Sequence, residues 1–137
     1  MMKRGLIFSF LFLLGIVACR KQSDPASVTN SVQGLFLVSG ECYEFYVPST
    51  YDTSIITNDT IQVVKVDDAT IRVEGVTLSY LDAVQNGGST SYRFSYSSFP
   101  NYSYTASFIL PDSISISKNF NSTPHSYVCG KTGRRIQ

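Results

Sequence analysis

The chain has 137 residues, with 11 basic and 10 acidic side chains, one histidine and three cysteines, and a formal net charge of +1. With no basic patch there is no electrostatic footprint for nucleic acid. A single histidine excludes a zinc site built on several imidazoles, and three cysteines cannot make a four-cysteine site. The length suits one domain. Charged residues make up 15% and aromatic residues 13%, and serine, threonine, tyrosine and valine are frequent, a balance that favours exported β structure over helix.

The N-terminus opens with Lys3 and Arg4, followed by an apolar run over residues 5–18 that Ser9 alone interrupts. A basic start, a short apolar middle and a small residue at the end form the layout of a secretory signal helix. The run is too short for a membrane span, which needs about 20 residues. It closes on Ile16-Val17-Ala18-Cys19, which resembles a lipobox, the recognition site of bacterial lipoproteins. The resemblance implies cleavage after Ala18 and acylation of Cys19. It also implies a cell-envelope location, lipid-anchored in the outer membrane and facing either the periplasm or the surface. Several acyl chains anchor a protein durably where one gives marginal binding. Cleavage would remove Lys3 and Arg4 and leave nine basic against ten acidic residues. The expected organisation is a signal peptide over 1–18, a lipidated cysteine with a flexible tether over 19–31, and a single β domain over 32–137. The tether reading rests on the polar stretch after Cys19, which contains Pro25. The acidic cluster that directs some lipoproteins to the cell surface is missing there.

With Cys19 assigned to lipid, Cys42 and Cys129 remain, and two thiols in an oxidising compartment often pair. A disulfide between them requires Cα atoms within about 7 Å. The alternative is two separate buried thiols.

Along the domain, residues 34–38 and 42–47 read as one bent strand or two short ones, broken at Ser39-Gly40. Residues 48–59 read as a polar loop. Residues 60–66 and 70–76 are strands flanking an Asp67-Asp68-Ala69 turn, and 77–84 is a further strand. Asn86-Gly87-Gly88 predicts a turn, because these residues tolerate positive φ. Strict alternation follows. Tyr92, Phe94 and Tyr96 share one face, as do Tyr102, Tyr104, Ala106 and Phe108, and Ile114 and Ile116 alternate with serines. Residues 118–124 read as a loop, 125–129 as the last strand and 130–137 as a basic tail.

The predicted fold is all-β: an antiparallel meander of about eight strands closing into a small barrel, with a flattened β-sandwich as the alternative. Parallel pairing would need long crossovers, and none is available. Closure removes exposed edges. The domain resembles small calycin-like barrel lipoproteins, on Gly34, the hairpin over 59–73 and the closing Tyr127-Val128-Cys129-Gly130-Lys131. A second partial resemblance is to membrane-bound lysozyme inhibitors. Ser39-Gly40-Glu41-Cys42-Tyr43 and Tyr127 to Lys131 match their two motifs, with Thr132 where the second has glycine.

No catalytic constellation emerges. No serine sits in a Gly-x-Ser-x-Gly elbow, no phosphate-binding glycine loop is present, and Asp67-Asp68 is a turn pair by default. The expectation is therefore a non-enzymatic protein with no cofactor and no metal. Its expected partners are the membrane, through Cys19, and an envelope protein or a small ligand. Tyr92, Phe94, Tyr96, Tyr102, Tyr104 and Phe108 either line a cavity for an apolar or sugar ligand or fill a small barrel as its core, as eight strands allow. Asp59-Thr60-Ile61 and Asp112-Ser113-Ile114 resemble bacterial O-glycosylation sites at Thr60 and Ser113, or are turn aspartates leading into strands.

Overall fold

A computed structural model describes residues 24–46, 50–98 and 101–137. Residues 1–18, expected to be a signal peptide, Cys19 and residues 20–23 lie outside the described residues.

The domain starts earlier than the composition suggested. Helix α1 (Pro25–Val32) occupies most of the stretch expected to be tether. Asp24 caps it, its side chain accepting from the Ala26 N–H at 3.2 Å, and Pro25 stands in the first turn, where its missing N–H costs nothing. Val28, Thr29 and Val32 are buried on one side. The Thr29 hydroxyl bonds the Ala26 carbonyl at 3.0 Å, and Arg135 donates to the Ser31 carbonyl at 2.6 Å. The Asp-Pro start was the available signal, masked by the polar residues around it.

Eight strands follow: β1 (Gly34–Tyr46), β2 (Thr50–Lys65), β3 (Thr70–Val73), β4 (Val76–Asn86), β5 (Ser89–Ser98), β6 (Tyr102–Ile109), β7 (Ser113–Ser122) and β8 (His125–Arg135). Each is antiparallel to the next, and β8 pairs back onto β1 from Phe36↔Arg135 to Tyr46↔His125. The all-β meander therefore closes into a ring as a barrel. The break at Ser39-Gly40 is a register shift within one continuous strand, between Val38 and Gly40.

Several segments read as irregular are strand. Residues 50–59 belong to β2, paired with β1 from Tyr46↔Thr50 to Val38↔Asp59, so the loop expected over 48–59 is a hairpin arm from Thr50 onward, residues 48 and 49 lying outside the described residues. The loop expected at 118–124 is mostly β7, and the basic tail is β8 as far as Arg135. In each case a neighbouring strand supplies the pairing that local composition does not advertise. Conversely, the strand expected over 70–76 stops at Val73. Glu74 and Gly75 turn with φ of 49° and 82°, the positive-φ pair of a type I′ hairpin.

The ring is tight at the β1–β8 seam. A Cβ added at Gly133 would meet the Leu37 carbonyl and Val38, and one at Gly40 would meet the Gly130 carbonyl. Backbone cannot give way there, so Gly133→Val is expected to cost about 1–3 kcal/mol. Thermal unfolding of this variant checks it.

Inside, Phe108 meets Phe36 and Phe94 edge-on at centroid distances of 5.9 and 5.8 Å. Val38, Ile61, Val63, Ile71, Val73, Leu78, Ala106, Ile114 and Ile116 fill the space around them. Val28 and Val32 of α1 close this core at one end. Among the described residues no helix covers the other end, which is the open end.

Candidate functional site: the open end of the barrel

The floor of the open end is set by Glu74. Type I′ turns favour asparagine at this position, and a glutamate with φ of 49° is strained relative to it. Glu74 Oε1 lies 2.6 Å from Lys131 Nζ, and Oε2 lies 2.6 Å from Lys118 Nζ. The buried Tyr104 hydroxyl donates to Oε2 at 2.8 Å. Lys118 stands over the Tyr104 ring, 4.8 Å from its centroid, and Lys131, only 6% exposed, also reaches Asp59 at 3.4 Å. Burial opposes the charge on Glu74, but hydrogen bonds from Lys118, Lys131 and Tyr104 outweigh it and hold its pKa at about 2. Burial and the Glu74 hydrogen bond push the Tyr104 hydroxyl up. Burial also disfavours the charged form of Lys131, yet Glu74 and Asp59 raise its pKa on balance.

Above this layer, Cys42 and Cys129 form a disulfide across the seam, with Cα atoms 4.0 Å apart. Beyond it lies an aromatic rim. His125 Nε2 is 2.6 Å from Glu44 Oε1, and the Tyr46 hydroxyl donates to the same oxygen at 2.8 Å. The Tyr46 hydrogen bond and the His125 contact lower the Glu44 pKa. The His125 ring stacks on Tyr46 at 4.7 Å and tilts against Phe120 at 5.7 Å. On the opposite side Tyr96 and Tyr102 approach at 6.0 Å. Gly75, Val76, Thr77, Tyr96, Ser98, Tyr102 and Phe120 line an open recess of about 590 Å³.

The six aromatic residues singled out as possible ligand contacts divide between core and rim. Phe94, Tyr104 and Phe108 are fully buried and fill the barrel, and Tyr92 packs half-buried against that core. Only Tyr96 and Tyr102 reach the recess. Sequence reasoning missed Glu74, Lys118, Lys131 and Phe120. Three of them were legible as breaks in an alternation: Lys118 and Phe120 continue the inward parity of Ile114 and Ile116, and Lys131 continues that of Cys129. Thr60 and Ser113 are both exposed, so either can be reached, although the Asp59 side chain turns towards Lys131. Lys131, the lysine of the partial match to lysozyme inhibitors, is held inside by Glu74 and Asp59.

Comparison with protein-family models, curated proteins and solved structures returned no match.

Proposed function

We propose that this is a non-enzymatic binding protein of the bacterial cell envelope, held at the outer membrane by lipid on Cys19, which takes its ligand at the open end of the barrel. The observation that supports binding is the asymmetry of the interior. One end is packed and closed by α1, while the other presents an aromatic-walled recess of about 590 Å³ over a charged floor. Concave sites with apolar walls and a few convergent polar groups are the usual form of a binding pocket. The lipobox supports the anchor. With Cys19 acylated, the short segment up to Asp24 spans at most about 17 Å when extended, and α1 follows at once. The closed end then lies towards the membrane and the mouth away from it.

Native mass spectrometry of the full-length protein, extracted gently from bacterial membranes, tests both parts. The expected result is an acylated chain starting at Cys19, with a co-extracted molecule that Tyr102→Ala releases. An unacylated chain retaining residues 1–18 overturns the anchor. An acylated chain that retains nothing, in the parent or the variant, overturns binding at the mouth.

A further inference from the structure

The barrel wall is incomplete beside the recess. β2 pairs with β3 only from Val63↔Val73 to Lys65↔Ile71, whereas its pairing with β1 runs on to Thr50. From residue 51 to 62, β2 therefore has a strand on one side only among the described residues. The β3–β4 turn at Glu74-Gly75 ends short of this stretch, leaving a notch in the wall beside β2.

The edge is chemically open. The narrow Cys42–Cys129 spacing of 4.0 Å marks a pair without mutual backbone hydrogen bonds. The backbone groups of Cys42 then point to its other neighbour, Ser54, and those of Thr53 and Ile55 point outward from the free edge of β2. Natural edges are blunted by lysine, proline, bulges, inward charges or a cover; residues 50–62 contain no lysine or proline, and their bulge lies beyond Ile56, away from Thr53 and Ile55. Ile55 is 74% exposed and Tyr51 58% exposed.

The charge is one-sided. Residues 34–64 carry Glu41, Glu44, Asp52 and Asp59 and no lysine or arginine. Asp52 and Asp59 share the register of the inward-facing Glu44 and Val38, so they line the notch. A second copy pairing on the same edge would set these acids against each other.

We propose that the free edge of β2 accepts an extended segment of another protein as an added strand, with lysine or arginine at the inward positions and branched apolar residues outward. Its backbone completes the ladder at Thr53 and Ile55. Its cations meet Asp52 and Asp59, its apolar side chains cover Ile55 and Tyr51, and the strand closes the notch. Strand addition of this kind takes affinity from the main chain and specificity from alternate side chains. The proposal rests on the open end being the binding end, and names its occupant.

Hydrogen exchange on the full-length acylated protein, with a short peptide of alternating lysine and valine as probe, tests it. The expected result is slowed exchange at Thr53 and Ile55. Alternate N-methylation of the peptide should weaken binding about tenfold or more, because the methylated amides cannot donate. Ile55→Pro, which removes an edge donor and leaves the pairing with β1, should do the same. Added salt should weaken binding as well. Protection confined to Tyr96, Tyr102 and Phe120 and indifferent to N-methylation would overturn strand addition while leaving the mouth as a binding site. Concentration-dependent protection of the same amides without peptide would make the occupant a second copy and overturn the proposal. No protection anywhere at millimolar peptide would also overturn it, leaving the mouth to the Tyr102→Ala test.

Discussion

Replacing Cys42 and Cys129 together by serine is expected to destabilise the barrel by about 4–5 kcal/mol, from the loop entropy that an 87-residue cross-link removes from the unfolded chain. The bridge joins the central part of β1 to β8, so it fastens the one pairing that makes the sheet a ring. Both cysteines are buried, between the charged floor and the aromatic rim. For a domain of this size the loss corresponds to a fall in Tm on the order of 10–20 °C. Calorimetry of the parent and the double variant, under identical conditions, measures it. A fall of less than about 3 °C would mean that β1–β8 pairing closes the ring without covalent help.

Glu74→Gln carries the second large effect. It leaves Lys118 and Lys131 together in a partly buried layer with Asp59 as the remaining anion, and breaking such a pair costs about 3 kcal/mol or more. Glu74→Asn separates the ion pairs from the turn. It loses the same contacts but relieves the positive-φ strain, so it should be more stable than Glu74→Gln by about 1 kcal/mol. The acid dependence has a definite sign. The Glu74 pKa is lowered from its ordinary 4.5 to about 2, so its contribution is full above 4.5 and is lost as pH falls towards 2. The contribution is at most about 3 kcal/mol. The parent should therefore weaken between pH 4.5 and 2 more steeply than Glu74→Gln. Parallel denaturant titrations at several pH values would show parallel slopes if Glu74 were not ionised in the fold.

The strand pattern was legible wherever one face is buried and the other wet. Tyr92 to Tyr96, Tyr102 to Phe108 and Ile114 to Ile116 alternate because the barrel interior takes every second side chain. Legibility failed where that contrast fades. Residues 51–58 of β2 are exposed on both faces or nearly so, and only their pairing with β1 makes them a strand. The end of β8 fails for a related reason. Its inward positions are Lys131, Gly133 and Arg135, which look like a solvated tail until the seam and α1 surround them. The floor of the mouth was hidden differently. Glu74 is distant in sequence from Lys118 and Lys131, and no local spacing announces that a hairpin turn will deliver a carboxylate between them.

The meander has a consequence for how the chain acquires its shape. Seven of the eight pairings join consecutive strands, so each can form as a hairpin soon after its two strands exist. The pairing of β1 with β8 alone waits for the whole chain, and closing a loop of that length costs about 4 kcal/mol of entropy before any contact rewards it. Ring closure is thus the natural rate-limiting event, and a curled open sheet with β1 and β8 as two bare edges is the state that precedes it. That open sheet is the species most exposed to intermolecular pairing, and the Cys42–Cys129 bond fastens the closed ring against its return.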